Sequence, residues 1–199
     1  MNVVLVDSGG ANIGSVRHAF ARLGVDSVLS ADAEAIARAD RVILPGVGAA
    51  APAMARLRAL GLIEVIRGLR QPLLGICLGM QLLFESSEEG EGDCLGLLPG
   101  RVRKLEAEVG VRVPHMGWNG LLPRAAHPLL TGIDAGAQAY FVHSYAAPMG
   151  EHVLAACSHG SEFAAVVGRG NRFGAQFHPE RSADVGSRLL ANFLSGSFS

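Results

Sequence analysis

The sequence predicts an α/β fold: a mostly parallel central sheet flanked by helices, carrying an antiparallel extension. Three observations predict it. Short β-branched runs alternate with longer helical stretches through the first half, the order that gives parallel strands joined by right-handed crossovers. From about Gly92 the chain changes to closely spaced short strands and turns, as in an antiparallel arrangement. Gly and Pro turn signals stand at the carboxyl ends of the early strands, where parallel sheets hold ligands.

Taken in order, Val3 to Val6 reads as a buried strand ending in Asp7 and the turn-forming Gly9-Gly10. Asn12 is placed to cap a helix from about Ile13 to Leu23, in which Val16, Phe20 and Leu23 recur at helical spacing. Val25 to Leu29 and Arg41 to Leu44 read as strands, the latter stopping at Pro45-Gly46. Ala50 to Leu69 reads as one helix, and Pro72 to Ile76 as a strand running into Cys77 and a helix through Phe84. The acidic, Gly-rich Glu85 to Asp93 reads as an exposed loop. Short strands are expected at Gly100 to Leu105, Val111 to His115, Ala139 to His143, His152 to Cys157, Ala164 to Gly168 and Phe173 to Phe177, before a last helix at Ala183 to Leu194. No linker, repeat or low-complexity block interrupts this, so residues 1–199 are expected to form one domain.

Composition narrows the function classes. With 49% hydrophobic and 18% charged residues the chain is globular, not disordered. A net charge of -1 gives no electrostatic reason to expect nucleic acid or an anionic membrane. Cys77, Cys94 and Cys157 cannot all pair and form no CxxC, which argues against a disulfide scaffold or zinc ribbon and for a reducing compartment. The N-terminus lacks a signal-peptide pattern, and no apolar run approaches the roughly 18 residues of a membrane span. A soluble cytoplasmic protein is expected.

The chemistry gathers at three strand ends: Asp7-Ser8-Gly9, Pro45-Gly46-Val47-Gly48 and Cys77. Gly75-Ile76-Cys77-Leu78-Gly79 has the G-x-nucleophile-x-G form of a nucleophile elbow, with Cys in the place of Ser. Small residues on both sides let a strand turn sharply into a helix, whose N-terminus favours thiolate over thiol. An isolated cysteine is more often an inert core residue, but this context reverses the balance. Cys94 and Cys157 lack it and are read as structural. A thiolate needs a proton partner, and His178 in Phe177-His178-Pro179-Glu180 is the candidate. Residues two apart on an extended segment face the same way, so Glu180 can reach the imidazole and fix its tautomer. Standing alone, His-Pro-Glu would be read as a surface turn. Leu78 supplies one backbone N–H to an oxyanion hole, and Val47 between two glycines is placed to supply a second.

Other features carry less. His115 and His143 have no accompanying carboxylate or cysteine cluster, so no metal is expected. His18, His127, His152 and His159 read as surface or loop residues without a role. Gly9-Gly10-Ala11-Asn12-Ile13-Gly14 is out of register for a dinucleotide fingerprint, and no cofactor is expected.

Together these residues resemble the class I (triad) glutamine amidotransferases, from Asp7 to Ser182 and in the expected order. The resemblance implies a flavodoxin-like fold and a triad of Cys77, His178 and Glu180 that forms a glutamyl thioester. It also implies substrate contacts from Gln81, Gly46, Gly48, Ser144 and Tyr145. Within the family, four strings are similar to one branch: Pro45-Gly-Val-Gly48, Pro114-His115-Met116-Gly117-Trp118-Asn119, Tyr140 to Tyr145, and His178 to Ser182. Members of that branch pass ammonia to a separate (β/α)8-barrel cyclase in histidine biosynthesis. That implies a heterodimer whose interface uses Asn12, His115, Met116, Trp118, Asn119 and Tyr140. Ser8, Ala11, Ala50 and Ala51 depart from the family's usual residues. Three rivals stand beside this reading: an ammonia donor to an anthranilate, aminodeoxychorismate or pyridoxal phosphate synthase, a non-catalytic binding protein, and a cysteine peptidase.

Overall fold

Val3–Val6 (β1) is buried along its whole length. Val3 and Leu5 enter one hydrophobic core while Val4 and Val6 enter another on the opposite face. A strand with both faces covered reads as a continuous apolar run, which is why this one carries no polar alternation. The computed structural model describes residues 1–9 and 13–198. The expected cap and interface residue Asn12 lies outside the described residues, as does Ala11.

The first half continues with α1 (Ile13–Arg22), β2 (Ser27–Ser30), α2 (Ala33–Ala37), β3 (Arg41–Gly46), α3 (Ala50–Ala59), α4 (Leu62–Arg67), β4 (Leu73–Cys77) and α5 (Leu78–Gln81). Short strands β5 (Ser86–Ser87), β6 (Gly92–Asp93), β7 (Arg101–Lys104), β8 (His115–Gly120), β9 (Leu122–Pro123), β10 (Gln138–His143) and β11 (Tyr145–Ala146) follow. The chain then forms β12 (Val153–His159), β13 (Ser161–Arg169), β14 (Arg172–Ala175) and α6 (Ala183–Ser195).

The main sheet runs in the order β2-β1-β3-β4-β14-β13-β12-β9. Its strands are parallel from β2 to β14 and antiparallel beyond. Strand β14 matters most for function, because it returns from the far end of the chain to pair beside β4, with Ala175 opposite Ile76. The residues just after β14 and just after β4 are therefore neighbours. Helices cover both faces, giving the mixed α/β layers that the alternating pattern predicts. Two smaller sheets, β10-β8 and β11-β7-β5-β6, wall the carboxyl edge.

Several elements differ from expectation. The stretch expected as one helix is two, α3 and α4, because Gly61 adopts φ 68 between them. The short α2, capped by Asp32 accepting from the Ala35 amide at 2.7 Å, is absent from the sequence reading. The strand expected at Val111 to His115 instead spans His115–Gly120, in register with β10 from Gly120↔Gln138 to His143↔His115. The Glu85 to Asp93 loop contains β5 and β6. His152, expected at the surface, is buried against Phe84 with ring centroids 5.2 Å apart.

Candidate active site

The elbow is formed by backbone touching backbone. A Cβ on Gly75 would lie 2.5 Å from the Gly79 carbonyl oxygen, and one on Gly79 would lie 1.7 Å from the Leu44 carbonyl oxygen of β3. Neither position tolerates a side chain. Between them Cys77 takes φ 53 and ψ -110, a conformation a non-glycine residue holds only when its surroundings impose it. The result sets Sγ at the start of α5, where the Leu78 N–H has no partner inside the helix.

His178 follows β14 and is 7% exposed. Pro179 opens a single 3-10 turn, Pro179–Arg181, which swings Glu180 back so that its Oε1 accepts from His178 Nδ1 at 2.9 Å. The turn is tied to β10 twice and closed on itself once. The His178 amide donates to the Tyr140 carbonyl at 3.0 Å, the Tyr140 amide donates to Ser182 Oγ at 2.9 Å, and that hydroxyl donates to the His178 carbonyl at 2.7 Å. With Nδ1 engaged by Glu180, Nε2 is the nitrogen left to meet Cys77. Burial is the largest influence on this imidazole and pushes its pKa down. Hydrogen bonding to Cys77 and Glu180, with the attraction of their charges, more than offsets that and holds it up at about 10. His178 therefore carries its proton at neutral pH.

Cys77 and His178 open into a cavity of about 350 Å³, a size suited to one amino acid. Val47, Gly48 and Leu78 line it, as do Gln81, Ser144 and Tyr145. Gly46 lies behind this wall, packed so that a Cβ would sit 2.8 Å from the Gly79 nitrogen. Ser8 is buried and donates to the Pro45 carbonyl at 2.9 Å, holding the turn that carries Val47.

Two lining or supporting residues escaped the sequence reading. Among the described residues Glu89 is the one acidic side chain lining the cavity, and its Oε2 accepts from the Ala50 amide at 3.0 Å at the start of α3. Gln176, fully buried, donates from Nε2 to Cys77 Sγ at 3.7 Å and accepts from Gln81 Nε2 at 3.0 Å. Gln81 Nε2 also donates to the Tyr145 carbonyl at 2.8 Å. That carbonyl can only accept, so it fixes the orientation of both amides.

A family model described as glutamine amidotransferase class-I matches residues 4–196. The chain belongs to the class-I glutamine amidotransferases. It is 61% identical over 197 residues to imidazole glycerol phosphate synthase subunit HisH of Xanthomonas campestris pv. campestris (strain 8004), covering 99% of this chain and 98% of that one. It is 62% identical over 192 residues to the subunit of the same name from Xylella fastidiosa (strain Temecula1 / ATCC 700964), covering 96% of each. A solved glutamine amidotransferase structure superposes with a TM-score of 0.75 at 22% identity over 96% of each chain, which speaks to the fold.

The residues of this amidotransferase expected to face a partner separate into two sets. Met116 and Trp118, two apart on β8, are 64% and 53% exposed. Tyr140 stands opposite Trp118 with its ring edge-on at 5.8 Å, and the Arg181 guanidinium lies 4.7 Å from the Tyr140 ring centre. His115 and Asn119 point elsewhere. His115 is 4% exposed, and Asn119 Nδ2 is occupied by His115 Nε2 at 3.2 Å and by the Ser158 carbonyl at 2.9 Å. No helix is long and apolar enough to cross a membrane, and no cluster of metal-ligating side chains occurs, among the described residues.

Proposed function

We propose that this chain is the glutaminase subunit of an imidazole glycerol phosphate synthase, one domain over residues 1–199, supplying ammonia to a separate (β/α)8-barrel cyclase subunit in a cytoplasmic heterodimer. The observation that carries this is the 61% identity to the Xanthomonas subunit over nearly the whole of both chains. Cys77 and His178 sharing one cavity, with Glu180 on the far nitrogen of His178, supports the chemistry.

The Cys77 sulfur attacks the side-chain carboxamide carbon of glutamine, and the carbonyl electrons move onto oxygen. The Leu78 and Val47 N–H groups receive that oxyanion, contacts of a kind worth about 3–4 kcal/mol each. When the tetrahedral species collapses, the C–N bond breaks and His178 gives its proton to the departing ammonia. A glutamyl thioester remains. His178 then takes a proton from water, the hydroxide adds to the thioester, and glutamate leaves as the sulfur is released. Glu180 holds the His178 ring in place throughout and steadies it whenever it is the imidazolium, before ammonia leaves and again after water is deprotonated.

The substrate's charged end has complementary groups. Glu89 offers a carboxylate to the α-ammonium, and the backbone of Gly48, Ser144 and Tyr145 offers hydrogen bonds. Both N–H groups of the Gln81 amide are spent on Tyr145 and Gln176, so Gln81 presents its carbonyl oxygen, an acceptor, to the ligand. Exposed Met116 and Trp118, flanked by Tyr140, form the apolar centre of the face offered to the cyclase.

The test is to mix the chain with an imidazole glycerol phosphate synthase cyclase subunit and follow product formation from glutamine or from ammonium salts. Cys77→Ala should abolish the glutamine-dependent reaction and leave the ammonium-dependent one intact. Glutamine-dependent turnover by that variant would remove Cys77 as nucleophile. Ammonia delivery to a chorismate-using or pyridoxal phosphate synthase instead would overturn the choice of partner.

A further inference from the structure

The mechanism uses no side-chain atom of His143, which lines the cavity, or of His115 behind it, yet both are buried, 6% and 4% exposed. They touch each other, Nδ1 of His115 lying 3.0 Å from Nε2 of His143. The chain of contacts continues at both ends. His143 Nδ1 lies 2.8 Å from the Tyr145 carbonyl oxygen, the same oxygen that receives Gln81 Nε2. At the other end His115 Nε2 lies 3.2 Å from Asn119 Nδ2, and Asn119 sits on β8 beside exposed Trp118.

The protons in this chain have one consistent placement. A carbonyl oxygen only accepts, so His143 must carry a proton on Nδ1. Burial pushes the pKa of His143 down to about 3, despite the bond to Tyr145, with His115, His159 and His178 adding to the push, so the ring is neutral and its Nε2 is an acceptor. His115 must then donate from its own Nδ1. Burial, with His159 stacked at 4.1 Å, lowers His115 to about 4, so it too is neutral, and its Nε2 accepts from Asn119. The Asn119 amide has its second N–H on the Ser158 carbonyl and its oxygen receiving the Gly120 amide at 2.8 Å, which excludes the flipped orientation. Every donor from Ser158 to Tyr145 has an acceptor.

We propose that His143 and His115 are positioning residues of the glutamine site: two neutral imidazoles, each protonated on Nδ1, that tie the β8 ribbon to the Tyr145 carbonyl and so fix where Gln81 meets substrate. The inference rests on the glutaminase reading and adds to it a specific linkage. The Tyr145 carbonyl accepts one bond from His143 and one from Gln81, so both of its lone pairs are used. Loss of the His143 bond frees β11 to shift, and Gln81 with it. Gln81 in turn holds Gln176, the amide that contacts the nucleophile. The pair therefore sets the shape of the pocket without touching the reacting atoms.

Two measurements test this. Nitrogen-15 spectra of the histidine-labelled wild-type chain at neutral pH should show both rings neutral and protonated on Nδ1, and an Nε2–H tautomer for either would overturn the proposal. The second measurement compares His143→Asn with His143→Gln. An Asn amide nitrogen stands near the place of Nδ1 and can still reach Tyr145, whereas a Gln amide stands near Nε2 and cannot. Labelling of Cys77 by 6-diazo-5-oxo-norleucine, an electrophilic glutamine analogue, should half-saturate at about tenfold higher concentration in H143Q and within about threefold of wild type in H143N. Alkylation by iodoacetamide, which reaches the sulfur but lacks the amino-acid end that Gln81 and Tyr145 would hold, should proceed at a similar rate in all three. Equal half-saturation in the two variants would overturn the proposal, and if either variant fails to fold the tautomers decide it. Failure of the analogue to label wild-type Cys77 would be a different result, one that sinks the glutaminase reading itself.

Discussion

Gly186 lies in α6 directly behind the turn that carries His178 and Glu180, and replacing it with alanine puts a defined load on that turn. The added Cβ would lie 1.9 Å from the Pro179 carbonyl oxygen and 2.8 Å from the Pro179 Cα. Ordinary van der Waals contact begins near 3.4 Å, so helix and turn must separate by about 1.5 Å, the difference of those two distances. The helix is held by fully buried Leu189 and Phe193, so part of the movement falls on the turn. A displacement of about 1 Å in a catalytic group costs on the order of a hundredfold in rate. Stability responds less, because alanine gains roughly 1 kcal/mol in a helix while overpacking costs about 1–3 kcal/mol. Gly186→Ala should therefore lose about a hundredfold in kcat/KM for glutamine hydrolysis in the cyclase complex, with at most about 2 kcal/mol lost in urea denaturation. Activity within threefold of wild type would refute the claim that this packing holds His178 in place.

Two further outcomes follow from the same structure. His143 and His115 are neutral when folded but bind protons near pH 6.5 when unfolded, so their contribution is complete above about pH 6.5 and is lost as pH falls toward 4 and 3. Between pH 6.5 and 5 each loses up to about 2 kcal/mol, so the urea midpoint should drop over that range, and a flat profile would contradict their neutrality. His178 has the opposite sign: its contribution is complete below pH 6.5 and declines as pH rises through about 10, so it does not offset the acid loss. Trp118→Ala should weaken the cyclase complex by about 2 kcal/mol, roughly thirtyfold in Kd by titration calorimetry, and an unchanged Kd would take Trp118 out of the interface.

The elbow was legible because its constraint is local. Gly75 and Gly79 are needed where three backbones meet, and a five-residue string reports it. His178 and Glu180 were legible as a pair in the His-Pro-Glu string, but not in their geometry: the segment is not extended, and the 3-10 turn at Pro179–Arg181 brings the Glu180 carboxylate to His178. What stayed hidden depends on partners distant in sequence. Gln176 sits in an apolar stretch, and nothing near it shows that its neighbours are Cys77 and Gln81, 99 and 95 residues away. Glu89 belongs to a run of acidic residues that looks solvated, yet it folds over the start of α3. Val111 to Val113 has the β-branched residues of a strand, but the register with β10 selected the Gly-rich His115–Gly120 instead. Gly61 was a plain helix-breaking signal inside the expected long helix, and its left-handed φ explains the break.

The proposed chemistry requires that the sulfur of Cys77 be the atom that glutamine acylates. Incubating the cyclase complex with 6-diazo-5-oxo-norleucine and mapping the adduct by peptide mass spectrometry tests this directly. One adduct per chain should appear on Cys77, with Cys94 and Cys157 untouched because both are buried and burial pushes their thiols up to about 11. His178→Ala should slow its formation by orders of magnitude. An adduct on another residue, or labelling indifferent to His178, would contradict the account.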